Sequence, residues 1–298
     1  MKSKILVLGG TGFIGYNFLK KIAKLEFEVD CLSRKIPKKN KVNKINYIAC
    51  DLTKIENIKR LKKNYDYIFN FSGNIDHSNS VQNNLVHYKS IKQIIKYFLK
   101  TKIRLFVQLG SSLEYGNLNS PHKEFFNCKP KSSYGLSKLK VTKLLKKCFK
   151  KNKFPYVVLR LYQVYGPHQK NNRFIPYSII SEINKKKYLC TEGIQYRDFI
   201  YIDDLLDLLL IFLKLKRIKY GVYNIGSGNP YKVKHVLEMI RTITKKKGTP
   251  LFGSIKMRND EILKLFPDIT KVKKNFYWRP KTKLIDGLKK TIKFYEKK

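Results

Sequence analysis

Acidic residues are scarce in this 298-residue chain: 21 Asp and Glu stand against 64 Lys and Arg, a formal net charge of +43. Clustered Lys and Arg bind phosphates by releasing counterions, so such an excess raises the question of a nucleic-acid partner. The distribution argues against one. Only ten of the basic residues are Arg, and the lysines are spread along most of the chain among many Ile, Asn and Tyr. That mixture reads as the composition of an AT-rich genome, leaving solvated Lys faces and no expected nucleic-acid partner. Cysteine is also sparse. Cys31, Cys50, Cys128, Cys148 and Cys190 are odd in number and never spaced as CxxC, which argues against a disulfide framework and a thiolate zinc site. No metal is expected. Cys31 and Cys50 sit in apolar runs that read as strands, where a thiol is a small buried hydrophobe. No apolar run approaches the ~20 residues of a membrane-spanning helix, so no membrane partner is expected. The amino terminus enters directly into KILVLGG, with no apolar stretch followed by a cleavage site, and a cytoplasmic location is the expectation.

What is present is an alternation of strand-length apolar runs with helical spacing. KILVL, FEVDCLSRK, INYIACDL, YDYIFNFSG, RLFVQLGSS and PYVVLRLYQVYG read as six strands. Between the first two, Phe13, Ile14, Phe18, Leu19, Ile22 and Leu25 recur at helical spacing. Strands apolar on both faces that alternate with helices imply an α/β fold, a doubly wound parallel sheet covered by helices. Beyond about residue 165 Pro and Gly interrupt the rhythm, and DDLLDLLLIFLKL and VKHVLEMIRTITKKK read as helices of a smaller C-terminal lobe. The expected organisation is a dinucleotide-binding domain over 1–165 and a substrate lobe over 166–298, with some segments returning to the first.

GGTGFIG, residues 9 to 15, lies where the first strand meets the first helix. Glycines there permit a tight turn and let the backbone approach a pyrophosphate, which the helix amino terminus stabilises through its free N–H groups. Gly9, Gly12, Phe13, Ile14 and Gly15 are therefore expected to hold a dinucleotide. An acidic group at the end of the second strand would accept from a ribose 2′-OH and repel a 2′-phosphate. Ser33, Arg34 and Lys35 stand there instead, which favours NADP(H) while leaving NAD(H) open. Asp30 precedes that position by three residues and is expected to face away. Asp51 and Leu52, just past the third strand, are placed to touch the adenine; alternatively Asp51 caps the segment that follows.

Tyr134-Gly135-Leu136-Ser137-Lys138 puts a phenol and an ammonium at i and i+4, one turn apart on one helix face. Taken with the glycine loop and the serine of GSSLEYG, this order resembles the extended short-chain dehydrogenase/reductase family, with its Rossmann-like sheet. LRLYQVYGP, NRFIP, YRDFIYIDDL, YNIGSGNP and FYWRP are similar to segments of its nucleotide-sugar members. By that resemblance Ser111, Tyr134 and Lys138 are the catalytic set, and Lys138 also meets the nicotinamide ribose. A phenol with an ordinary pKa near 10 becomes a useful acid only when neighbouring positive charge favours its anion.

The departures are informative too. Dehydrating members of the family carry an acid and a base directly after the catalytic Ser or Thr, where this chain has Ser112 and Leu113. Epimerising reductases of the family carry Cys and His where it has Leu113 and Arg173. What remains is reduction of a 4-keto carbon in a nucleotide-linked deoxy sugar, with a 4-epimerase as the rival and a non-catalytic dinucleotide sensor as a distant third. The resemblance places Ser112, Arg173, Arg197 and Arg258 on the substrate; two guanidinium forks suit a diphosphate, although Arg197 and Arg258 could instead pair with Asp198 or Glu261. Gln163 stands where many relatives have Asn, and His168 reads as a loop residue. The family also implies a homodimer.

Overall fold

The computed structural model describes residues 2–73, 80–245, 247–257 and 261–297. Arg258, one of the expected substrate groups, lies outside them. The chain divides into two compact units, one of Met1–Leu118, Glu124–Leu161 and Leu209–Tyr223, the other of Asn119–Lys123, Tyr162–Leu208 and Asn224–Lys298. No helix among the described residues is long and apolar enough to cross a membrane.

In the first unit the chain runs β1 (Lys4–Leu8), α1 (Phe13–Ile22), β2 (Glu28–Ser33), β3 (Asn46–Ala49), α2 (Ile55–Lys59), β4 (Tyr67–Asn70) and α3 (Ser80–Asn84). A π-helical segment, Leu85–Lys89, leads into α4 (Ser90–Phe98), and β5 (Leu105–Ser111) ends in a 3₁₀ turn, Ser112–Glu114, before α5 (Ser133–Asn152) and β6 (Tyr156–Leu161). Strands β1 to β6 pair in parallel. Further along come β7 (Gln163–Tyr165), α6 (Phe174–Ile183), β8 (Lys187–Leu189), β9 (Tyr196–Tyr201), α7 (Ile202–Lys214) and β10 (Gly221–Ile225). β10 completes a seven-stranded sheet of order β10-β6-β5-β4-β1-β2-β3. The order reverses direction at β1, whose neighbours are β2 and β4, and in doubly wound sheets the ligand crevice opens beyond the carboxyl ends of the strands at that point.

Apolar periodicity built this core as expected. Ile94, Ile95 and Phe98 of α4 and Val141 and Leu145 of α5 pack with Leu6, Ile68, Phe106 and Val158 of the strands, all buried. Cys31 is buried against Gly10, and burial pushes its thiol up to about 12, so it behaves as a small hydrophobe.

The second unit holds β11 (Pro230–Lys232), α8 (Val233–Ile243), β12 (Thr249–Leu251), β13 (Lys264–Leu265), α9 (Thr270–Phe276) and α10 (Leu284–Glu296). β9 is central to its own sheet, flanked by β11 and β13 and pairing also with β7, while β8 pairs with β12. Two buried carboxylates organise its loops. Asp198 accepts the N–H groups of Ser227 (2.6 Å) and Gly228 (2.7 Å), closing the IGSGNP turn. Asp204 accepts those of Lys281 and Thr282, and its own carbonyl takes the Trp278 indole N–H at 3.0 Å, fixing the FYWRP segment.

One expected strand is two. PYVVLRLYQVYG breaks at Tyr162: β6 stops at Leu161 in the seven-stranded sheet, and β7 pairs with β9 in the other. Tyr162 donates its N–H to Ile225 O, and its hydroxyl meets His122 Nδ1 at 2.8 Å. No Gly or Pro stands between Leu161 and Gln163, so the sequence carries no turn signal where the chain changes sheet.

Candidate active site

The glycine turn forms by close approach of backbone to backbone. Gly9 has φ of +73°, and a Cβ there would lie 2.6 Å from Ser72 Cα, so no larger residue fits. Gly15 packs on the Gly9 carbonyl, and Gly12 caps α1 with no side-chain partner. Phe13 and Ile14 open the helix half-buried. The turn therefore presents backbone N–H groups at a helix start with no side chain in the way, which fits the pyrophosphate of a dinucleotide.

At the end of β2, Ser33 is buried and donates its hydroxyl to Lys35 O at 2.7 Å, while Arg34 and Lys35 are exposed. Asp30 is engaged elsewhere: its carboxylate accepts from the Tyr65 hydroxyl at 2.5 Å and the Asn46 amide at 2.7 Å. Asp51 accepts the Thr53 N–H and hydroxyl at 2.9 and 2.7 Å, which hold its carboxyl below the usual range. It does not cap the next helix, since Lys54 is the N-cap of α2. Leu52 follows it half-buried.

The structure brings the Ser111 turn and the Tyr134 helix together. Ser132 caps α5 by accepting the Gly135 N–H at 3.1 Å. Gly135 then lies against the Ser112–Glu114 turn: a Cβ there would be 2.4 Å from Leu113 O. The glycine between Tyr134 and Lys138 thus serves the contact that brings the helix to the serine. Lys138 is buried and sends its ammonium to Leu109 O at 3.0 Å, with Nζ 5.6 Å from the centre of the Tyr134 ring. Burial pulls its pKa down to about 8, opposed by the charge of Glu114. The group remains cationic at neutral pH next to the phenol.

Several supports escaped the sequence reading. Leu109 O also accepts from Gln108 Nε2 at 2.8 Å, Gln108 Oε1 accepts from Asn70, and Asn70 Oδ1 takes both the N–H and the hydroxyl of Ser72. This buried chain of amides connects the Lys138 anchor to the residue packed on Gly9. His87, in the π-helical segment, stands edge-on to Tyr134 with ring centroids 5.0 Å apart. Glu114 accepts the Ser111 N–H at 3.0 Å while Ser111 Oγ accepts that of Leu113 at 3.2 Å, a capping box. Its Ser-x-x-Glu signature was legible in GSSLEYG.

The second unit carries a cavity of about 340 Å³ lined by Phe174, Tyr177, Phe199, Phe252, Gln195 and Arg197, among others. Arg197 pairs at its wall with Glu261 and donates to Tyr196 O at 2.8 Å. Among the described residues Arg197 is thus paired with Glu261, one of the carboxylates named for it above. Arg173 is the N-cap residue of α6, next to Phe174, but is not among the lining residues. Gln163 lines this cavity as well, and Ser112 is buried at the start of the 3₁₀ turn.

Comparison with known proteins follows the same lines. The chain is 26% identical to CDP-abequose synthase of Salmonella typhimurium over 98% of each chain. It is 27% identical to ADP-L-glycero-D-manno-heptose-6-epimerase of Brachyspira hyodysenteriae, again over 98% of each. Among solved structures it superposes on the UDP-glucose 4-epimerase of Thermotoga maritima with a TM-score of 0.92 at 22% identity, covering 99% of both chains. The UDP-glucuronic acid 4-epimerase of Bacillus cereus, in complex with UDP-glucuronic acid and NAD, gives 0.90 at 24% over 99% of both. With residues 5–226 matching its family model, the chain belongs to the NAD dependent epimerase/dehydratase family.

Proposed function

We propose that this protein is an NADPH-dependent reductase of a nucleotide-linked 4-keto-6-deoxy or 3,6-dideoxy hexose. The observation that carries this reading is the assembly of Ser111, Tyr134 and Lys138 around a turn in which position 113 is Leu. Without a carboxylate there, proton abstraction for elimination has no base. The cofactor, when bound, supplies hydride to the keto carbon. Ser111 donates a hydrogen bond to the keto oxygen and orients it. Tyr134 gives its phenolic proton to that oxygen as the alcohol forms, and Lys138 stabilises the phenolate left behind. The aromatic wall of the second unit's cavity offers a nucleoside an apolar surface, and on this reading Arg197 exchanges its Glu261 partner for the diphosphate when substrate binds.

Arg34 and Lys35, exposed beyond β2, support the preference for a 2′-phosphate, and Asp30 is held by Tyr65 and Asn46. Whole-length similarity to CDP-abequose synthase favours reduction. Whole-length similarity to epimerase structures favours the second reading, a 4-epimerase that keeps its NAD. Purified protein is the discriminating material. Exchangeable NADPH, with oxidation of NADPH on one of the CDP-, dTDP-, GDP- or UDP-linked 4-keto-6-deoxyhexoses, is expected. Stoichiometric retained NAD and no net NADPH oxidation would establish the epimerase instead. A homodimer in the cytoplasm completes the proposal.

A further inference from the structure

Glu114 is fully buried, and both of its carboxylate oxygens are engaged. Oε1 accepts the Ser111 N–H at 3.0 Å; Oε2 accepts the Thr142 hydroxyl at 2.8 Å and Arg160 Nε at 3.0 Å. Arg160 is also buried and lies on the face of the Tyr115 ring, 4.5 Å from its centre. Gly110 leaves space for the carboxylate, since a Cβ there would come within 2.5 Å of Oε1. Three elements converge on this one group: β5 through Ser111, α5 through Thr142 and β6 through Arg160.

Packing alone does not account for such a pair. Desolvation costs several kcal/mol per buried ion, and apolar residues of similar volume often stabilise a core as well or better. What the pair supplies is direction. With its oxygen accepting from Leu113 N–H, the Ser111 hydroxyl keeps its hydrogen to donate.

We propose that Glu114 is a positioning residue for Ser111: clamped by Arg160 and Thr142, it fixes the Ser111 peptide and the turn after it, so that the hydroxyl hydrogen points in one direction. The inference rests on the reading of Ser111 as the donor to the substrate oxygen. The charged and titratable groups facing the clamp are Arg160 and Tyr115 around the carboxylate, Cys128 beside Arg160, and Lys138 from α5. Since the Glu114 charge opposes the burial of Lys138, removing it also moves the alkaline limb of the rate profile to lower pH.

The test is a double-mutant cycle. E114Q, and E114M/R160M, in which the uncompensated charge is removed as well, are compared with wild type and then repeated in the S111A background. NADPH oxidation is followed on the panel of 4-keto sugars above. A loss of about 10- to 100-fold in kcat, with KM changed less than about threefold, is expected in the Ser111 background. The same changes should cost less than about twofold in the S111A background, because coupled residues are non-additive. Equal losses in both backgrounds, or an unchanged kcat in a folded variant, would overturn the proposal. If E114Q does not fold, E114M/R160M decides.

If wild type reduces none of the panel, the functional reading fails on its own and the clamp is read from the Ser111 amide by ¹⁵N NMR. Its proton, deshielded by a charged acceptor, should move upfield in E114Q and exchange faster in E114M/R160M. An amide unchanged in both would sink the idea.

Discussion

The Lys138 ammonium donates to the carbonyl of Leu109 at 3.0 Å, two residues before Ser111 on the same strand. One bond therefore ties the helix that carries Tyr134 to the strand that delivers Ser111. K138M should reduce turnover by about 10²-fold or more, because the phenol loses the cation that acidifies it. The folded fraction should not fall, since Met removes a buried charge while keeping the stem. Steady-state rates and a thermal melt check both parts.

The same lysine predicts a pH dependence with a definite sign. Its pKa is about 8 in the folded protein against the ordinary lysine value of 10.5. Between those values the unfolded chain binds more protons, so this group's contribution to stability rises with pH across that window and is flat below it. Turnover should fall as pH rises through about 8 and the ammonium discharges. Urea midpoints from pH 7.5 to 10.5 should rise more in wild type than in K138M, and an identical slope in both would refute the assignment.

Y134F should retain the dinucleotide and lose about 10²- to 10⁴-fold in rate, the range of general acid catalysis. Fluorescence titration with NADPH separates the two effects. A variant that no longer binds cofactor would give Tyr134 a role beyond proton transfer.

Cofactor choice is expected to reside at the end of β2. R34A should weaken NADPH binding about tenfold while leaving NADH within about twofold, since only a 2′-phosphate meets the guanidinium. S33D should invert the preference. Dissociation constants for the two cofactors decide the matter, and parallel changes would place the 2′-phosphate elsewhere.

Asp198 predicts a stability effect in the second unit. Burial raises its carboxyl to about 6, although the N–H groups of Ser227 and Gly228 pull it down. The folded chain therefore binds more protons than the unfolded one between the ordinary value of 3.8 and about 6, and this group's contribution declines as pH rises through that window. D198A, which leaves the N–H groups of Ser227 and Gly228 without this acceptor, should cost about 2 to 4 kcal/mol at pH 4 and less at pH 7. Denaturation at pH 4 and pH 7 measures both effects.

The amino-acid sequence by itself determined the parts that local chemistry writes. Apolar runs at strand length and apolar residues at helical spacing gave the seven-stranded α/β architecture all but one of its strands, because burial on both faces leaves a pattern that needs no partner to be read. The glycine turn and Tyr134-x-x-x-Lys138 were legible for the same reason: short spacing fixes which groups share a turn or a helix face. Tertiary structure alone decided what depends on distant partners. It moved Gln163–Tyr165 into a second sheet, paired Arg197 with Glu261 and turned Asp30 toward Tyr65. It also joined Glu114 to Arg160, 46 positions away, beneath Ser111. A buried carboxylate is satisfied by whichever donors the fold carries to it, and no one-dimensional pattern records which donors those will be.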